Sequence, residues 1–209
     1  MSRNLTTKSS KRREKERQRR IRAIIKAALE LFSEKGFENT TTDEIADAAR
    51  LSKGLLYFYF DSKEDIFVSV LRDGMSKLSE RLRKNIDPDD PPEKQLISFI
   101  ETEYDFYAKN IKFFKLLNSI YSGYVLGKIS PENRDKFVST HYQEMEILQE
   151  IFEKGKQEGT FKDIDTEDLI FSLAGLMHGL LIMKPGIKDL EKLKNLTIEI
   201  FLYGIKRGG

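Results

Sequence analysis

Apolar residues recur along this chain at spacings of three and four, with no run of strict alternation flanked by hairpin turns. That rhythm predicts helices throughout and no strands. Ile21, Ile24, Ile25, Ala28, Leu29, Leu31 and Phe32 keep to one broad face and predict a first helix. Gly36 can close it in the left-handed conformation that other residues resist. Thr41 and Glu44 make a capping box ahead of Ile45 and Ala46, and that short helix ends near Arg50. Ser52 caps a third helix running to about Phe60. Asp61 with Glu64, or Ser62 with Asp65, opens a fourth, which carries Ile66, Phe67, Val70, Leu71 and Leu78 towards a core. The stretch DPDDPP, residues 87–92, cannot continue a helix. Beyond it the pattern predicts helices from Pro92 to about Asn110, from Ile111 to about Gly127 and from Pro131 to about Gly155–Gly159. Two more follow, from Asp165 or Thr166 to just before Pro185, and from Lys188 to about Lys206. The chain reads as all-α, with about nine helices and no internal repeat.

The composition narrows the function. The chain has 209 residues, 39% hydrophobic and 33% charged, enough for one large or two small domains. It has no cysteine, which removes disulfides and thiolate metal sites. No cofactor or metal is expected. The charge-free run Leu169 to Met183 is 15 residues long, short of the roughly 17–25 that span a bilayer. The basic N-terminal stretch lacks the apolar core of a signal peptide. The expectation is a cytoplasmic protein with no membrane partner. Net charge is +2, but Met1 to Arg22 holds ten Lys or Arg against Glu14 and Glu16, a balance of +8 that leaves −6 for the rest. A basic end on an acidic body suits a protein that meets a polyanion at one end.

Catalytic signatures are missing. The two histidines do not fall in an HExxH spacing, and Ser52-Lys53-Gly54 is not a nucleophile elbow. GYVLGK, residues 123–128, is one residue short of a phosphate loop, and Ile129 stands where Ser or Thr is required. The chain is not expected to be an enzyme.

The segment Ser52 to Lys63, SKGLLYFYFDSK, carries the strongest chemical signal. On a helix, Leu56 and Phe60 share one face and must be buried. Lys53, Gly54, Tyr57 and Phe58 lie on the other side. Gly54 allows close backbone approach, Lys53 can reach a phosphate or a guanine edge, and Tyr57 and Tyr59 can hydrogen-bond phosphate. Thr42 offers a hydroxyl and a free N–H to an anion at the preceding helix start, and Lys63 adds charge at the next. So short a helix cannot bury Leu55, Leu56, Tyr57, Phe58, Tyr59 and Phe60 all round. Exposed aromatics beside lysine mark a binding surface. Two short helices joined by a tight turn are the helix-turn-helix arrangement that places one helix in a DNA groove.

The pattern GF…TT..IA..A..SKG.LY.YF.SKE..F, from about Arg20 to Leu71, resembles the tetracycline-repressor (TetR) family of bacterial transcription regulators. The resemblance implies a three-helix N-terminal DNA-binding domain and a helical C-terminal domain for ligand binding and dimerisation. The boundaries read as a basic flexible arm over residues 1–20, the helix-turn-helix domain over 21–65 and the effector and dimerisation domain over 66–209. Lys11 to Arg20 either extends the first helix or remains flexible. Positions matching Thr42, Ser52, Lys53, Gly54, Leu55, Tyr57, Phe58, Tyr59 and Lys63 are implied to meet DNA. Three departures stand out. Arg50 occupies the turn position where the family has glycine, Leu55 replaces a common threonine and Phe58 a common histidine. Base reading at the last two would rest on thymine methyl contact or DNA shape.

One helix-turn-helix reads few base pairs, so two-fold dimers on half-sites about 34–36 Å apart are the usual solution. A homodimer on a palindromic double-stranded operator is therefore expected. The interface is assigned to Leu169, Leu173, Leu176, Leu180 and Met183 on one helix and Ile198, Phe201, Leu202 and Ile205 on the last. An effector pocket is assigned to Phe99, Glu103, Phe106, Tyr107, Phe114, Leu117, Tyr121, Phe137, His141, Met145 and His178, whose aromatic and methionine density suits a small apolar or aromatic ligand. The resemblance implies repression relieved by that effector. The rival readings are a sequence-neutral DNA binder and a helical interaction protein without effector control.

Overall fold

Helix-starting side chains and three left-handed residues, Gly36, Arg50 and Gly159, divide the chain where the sequence places its breaks. The computed structural model describes residues 3–121, 129–183 and 189–206, with the side chains of 3–9, 121, 140–143 and 182–183 outside the description. Among the described residues there are nine helices. They are α1 (Arg3–Lys35), α2 (Thr42–Ala48), α3 (Lys53–Tyr59), α4 (Lys63–Asn85), α5 (Pro92–Lys109), α6 (Ile111–Tyr121), α7 (Pro131–Gln157), α8 (Thr166–Met183) and α9 (Leu190–Ile205). The one strand-like contact among them is an isolated antiparallel bridge, Phe161 to Lys206. The segment expected to carry the sixth helix on towards Gly127, with GYVLGK, lies outside the described residues.

Packing groups Met1–Gly74 with Lys112–Phe137 as one unit, and Met75–Ile111 with Val138–Gly209 as the other. In the first unit, α1 is helical from Arg3, so the basic stretch takes the helix-extending alternative. Pairs at helical spacing support it: Arg20 Nε to Glu16 at 3.1 Å and Gln18 Nε2 to Glu14 at 2.8 Å. Ile24, Ala28 and Phe32 are buried, as the periodicity requires. Phe32, Phe37 and Phe67 form a ring triangle with centroids 5.1–5.6 Å apart. Lys112 on α6 ion-pairs with Glu30 of α1, and Phe113 lies over Gly74, where a β-carbon would sit 2.2 Å from its ring.

Between α2 and α3 the chain turns through Arg50, at φ 58°. Leu51 N donates to Ala46 O at 2.9 Å and Arg50 N to Asp47 O at 3.0 Å. That pair of bonds is the Schellman closure of a helix, and it requires a left-handed residue at position 50. Arginine holds it at a steric cost.

In the second unit, Tyr104 on α5 and Thr197 on α9 share a buried hydrogen bond of 2.7 Å. Phe152, Phe161 and Phe201 gather with centroids 6.2 and 6.0 Å apart. Phe161 comes that close because Gly155 has no β-carbon, which would lie 2.0 Å from the ring. The DPDDPP break is held from both sides. Gln95 Nε2 donates to Pro88 O and Asp90 O at 2.9 and 2.7 Å, and Lys154 Nζ to the same carbonyls at 2.7 and 2.9 Å.

Replacing Arg50 by glycine should remove the left-handed strain and return part of it as unfolded-chain entropy. The expected gain is about 1 kcal/mol, seen as a midpoint about 2–4 °C higher in thermal unfolding. A lower midpoint would mean that the arginine side chain stabilises the turn more than its backbone strains it.

Candidate nucleic-acid interface and effector cavity

The α3 helix is anchored on one face only. Leu56 is fully buried and Phe60 is 5% exposed, while Phe58 is 75% and Tyr57 44% exposed. The Ser52 side chain caps α3 by accepting from Leu55 N at 3.3 Å, and the capping box of α2 is complete, with Thr41 and Glu44 bonded reciprocally. Glu44 also pairs with Lys35 at 2.5 Å. The Lys35 hydrogen bond, then the two from Thr41, hold its carboxyl down to about 2.

The exposed face is ordered by its own contacts. Lys53 Nζ pairs with Asp43 of α2 at 2.7 Å, which raises its proton affinity. The Tyr57 hydroxyl and Thr42 Oγ1 lie 3.0 Å apart, and Phe58 and Tyr59 meet edge to face at 5.2 Å. A β-carbon at Gly54 would meet nothing within 4 Å, so no neighbour in this chain demands a glycine there. Lys53, Gly54, Tyr57 and Phe58 form one outward surface with Thr42 beside it. Leu55 and Tyr59 are half-buried at its edges.

A cleft of about 550 Å3 joins this surface to α1, lined by Arg12, Arg13, Glu16, Arg17 and Arg20 together with Phe58 and Tyr59. The four arginines face the same space as the exposed α3 aromatics. Sequence reasoning missed that alignment, because an arm of undecided conformation has no face.

Lys63, assigned to DNA, is engaged within the chain. Its ammonium donates to the carbonyls of Phe37, Thr40 and Glu38 at 2.8, 3.0 and 3.3 Å, and it sits 4.4 Å over the Phe37 ring. Three donors and three carbonyls are matched. Lys63 closes the turn between α1 and α2.

The pocket residues divide. Phe99, Glu103, Met145 and His178 line one cavity of about 40 Å3 among α5, α7 and α8, with Glu144, Leu148, Ile170, Leu173, Ala174 and Met177. Phe106 and Tyr107 are buried on α5 outside that lining, and Phe114, Leu117 and Phe137 are buried in the first unit. The side chains of Tyr121 and His141 lie outside the described residues. Burial pushes the carboxyls of Glu103 and Glu144 towards the protonated form, and the charge of Glu103 pushes Glu144 further.

The assigned interface stripe is corrected in part. Leu169, Leu173, Phe201 and Ile205 are buried within the protomer, and Leu176, Leu180, Ile198 and Leu202 are half-buried. The Met183 side chain is outside the description. Exposed apolar groups stand elsewhere, at Phe171, Leu196, Ile200 and Tyr203. A helix apolar all round carries no periodic sign of which face is inward, so the chosen α8 stripe included core residues. Among the described residues no helix is long and apolar enough to cross a membrane, and no cluster of three metal-binding side chains occurs.

Two family models match the chain. Residues 24–70 match the model for bacterial regulatory proteins of the tetR family. Residues 101–207 match the C-terminal region of QacR-like proteins. The fatty acid metabolism regulator protein of Bacillus subtilis (strain 168) is 26% identical over 195 residues, 91% of this chain and 98% of that protein. The biofilm operon icaADBC HTH-type negative transcriptional regulator IcaR of Staphylococcus aureus (strain Newman) is 30% identical over 59% of this chain and 70% of its own length. The solved structure of the transcriptional regulator FadR from Bacillus subtilis in complex with stearoyl-CoA matches with a TM-score of 0.74 and 25% identity, over 88% of this chain and 98% of that one.

Two outcomes follow from these contacts. Lys63→Gln should lose about 2 kcal/mol and about 4–8 °C of unfolding midpoint, while the salt dependence of DNA binding keeps its slope. Lys53→Gln should leave stability within about 0.5 kcal/mol and lower that slope by about one for each protomer bound. Exchanged phenotypes would reverse the two roles. The buried carboxyl pair makes stability depend on pH. Both groups bind protons more tightly folded than unfolded, so their contribution is full below the ordinary carboxylate value and is lost as pH rises towards neutrality. Thermal midpoints should therefore fall from pH 5 to pH 8, and Glu144→Gln should flatten that fall. The window lies above the range where Glu44 titrates.

Proposed function

We propose that this chain, which belongs to the tetR family of bacterial regulatory proteins, represses transcription by holding operator DNA against α2 and α3 and lets go when an effector occupies its second unit. One observation carries the DNA-binding half of the reading. The α3 helix buries Leu56 and Phe60 and turns Lys53, Gly54, Tyr57 and Phe58 outward together. The outward set offers a cation, a hydroxyl, open backbone and an aromatic edge, the groups that read phosphate, base edge and thymine methyl in a major groove. Arg12, Arg13, Arg17 and Arg20 add sequence-independent attraction to the backbone from the same side. Of the residues assigned to DNA, Thr42, Ser52, Leu55 and Tyr59 support or border this surface.

The Staphylococcus aureus relative's name gives negative regulation, which supports repression here. The Bacillus subtilis names give fatty acid metabolism and stearoyl-CoA, which support an amphiphilic effector with a long apolar part. The α4 helix has residues in both units, which makes it the element to carry the response. An effector acts only through its different affinity for the DNA-binding and released shapes. Phe171, Leu196, Ile200 and Tyr203 are the surface on which we place the two-fold partner.

Selection of duplexes from a random pool, at one stated salt concentration, tests this reading. The expected result is an enriched palindrome bound by a dimer, with Tyr203→Glu giving a monomer of weakened operator affinity. Binding without enrichment, tracking salt alone, would replace it with the sequence-neutral reading. No duplex binding would leave a helical interaction protein.

A further inference from the structure

Phe58 points straight out of the first unit. The side chains that seat α3 are Leu56 and Phe60, and at about 100° per residue Phe58 lies about 180° round the helix from the midpoint of that pair. Its ring is the most exposed large apolar side chain among the described residues of this unit, at 75%. It meets the half-buried Tyr59 edge to face at 5.2 Å, so the ring leans on a fixed neighbour. Gly54 precedes it by one turn on the same stripe. A β-carbon there would meet nothing in this chain, and its absence lets a surface come close beside the ring.

A helix laid in a major groove turns the side chain opposite its packed face towards the groove floor. That floor carries hydrogen-bond donors, acceptors and one apolar group, the C5 methyl of thymine. A phenyl ring makes no hydrogen bond to the first two. Laid over them it would strip their water and return nothing. Laid on the methyl it buries apolar surface on both partners. Leu55 beside it has no donor either, so nothing adjacent on α3 turns the same step into a hydrogen-bond reading. Arg12, Arg13, Arg17 and Arg20 line one cleft with the ring, and a phosphate strand held by them brings base edges to it.

We propose that Phe58 is a specificity-determining residue whose ring reads the C5 methyl group of one pyrimidine in each half-site, whichever base carries it. Thymine has that methyl by nature, and cytosine acquires it when C5 is methylated. The two bases differ at position 4, where one offers an acceptor and the other a donor, and a ring that reads only the methyl is indifferent to that difference. Methylation of a cytosine at this step therefore strengthens binding, and a covalent mark on the DNA becomes an input to the regulator. The inference rests on the DNA-binding reading above and deepens it, from a surface that meets base edges to the single chemical group that one side chain selects.

The test uses the full chain, one salt concentration and the operator enriched from the random pool. Uracil replaces each thymine in turn, with both half-sites changed together. One symmetric position should respond, losing about fourfold in affinity for each half-site, the share of one buried methyl group. At that position a 5-methylcytosine·guanine pair should bind more tightly than plain cytosine·guanine by a similar factor. Phe58→Ala should bind the thymine and uracil operators equally, and the methylated and plain cytosine operators equally. Phe58→Leu, which keeps an apolar contact, should retain part of both preferences. A preference that survives in Phe58→Ala overturns the proposal, and so does uracil sensitivity with no gain from 5-methylcytosine. An enriched operator that ignores every uracil removes this inference alone and leaves recognition to hydrogen bonds or DNA shape. A pool with no enriched sequence removes the inference together with the sequence-specific reading beneath it.

Discussion

Three backbone carbonyls that converge on one point govern the first unit. The turn from α1 into α2 leaves the oxygens of Phe37, Glu38 and Thr40 without helical partners, and the Lys63 ammonium collects all three. These hydrogen bonds tie the turn to the start of α4. Phe37 is fixed beneath the same ammonium and packs on Phe32 and Phe67. The turn between α1 and α2 is thereby tied to a residue far along the chain, and α3, which packs against α2, is carried with it. A charge that looked available to a ligand is what allows the binding helix to be presented.

Local signals in the sequence proved legible because their physics is local. The Thr41–Glu44 box, the Ser52 cap and the Asp165 cap need only a few neighbouring residues, and each forms. Arg50 was readable too. The family resemblance puts a glycine position there, which left either a left-handed arginine or a different turn, and φ is 58°. What stayed hidden depends on partners from elsewhere. Nothing near Lys63 in sequence announces three carbonyls from residues 37–40. On α8, uncharged from Leu169 to Met183, spacing does not say which side faces the core, so Leu169 and Leu173 were placed outward and Phe171 was passed over.

Glu144 is the instructive middle case. Phe137, Glu144, Leu148 and Phe152 fall at i, i+7, i+11 and i+15, which puts Glu144 on the apolar stripe of α7. The spacing held the signal, but a glutamate in a chain one-third charged reads as solvent-facing by habit. Its burial beside Glu103 makes the two units chemically opposite. The first gathers cations on an open surface, and the second encloses acids in an apolar chamber.

The pairing of Lys53 with Asp43 has a bearing on how such a protein finds its place on a chromosome. Any phosphate that engages Lys53 must first dislodge a carboxylate already at 2.7 Å. Ordinary duplex, which offers charge but no matching bases, gains little from that exchange. On the proposed reading a matched site gains more, because Tyr57, Phe58 and the open backbone at Gly54 would engage at the same moment. On that reading the carboxylate would act as a brake on adhesion to bulk DNA. It would shorten each unproductive stop and leave more of the molecule's time for search.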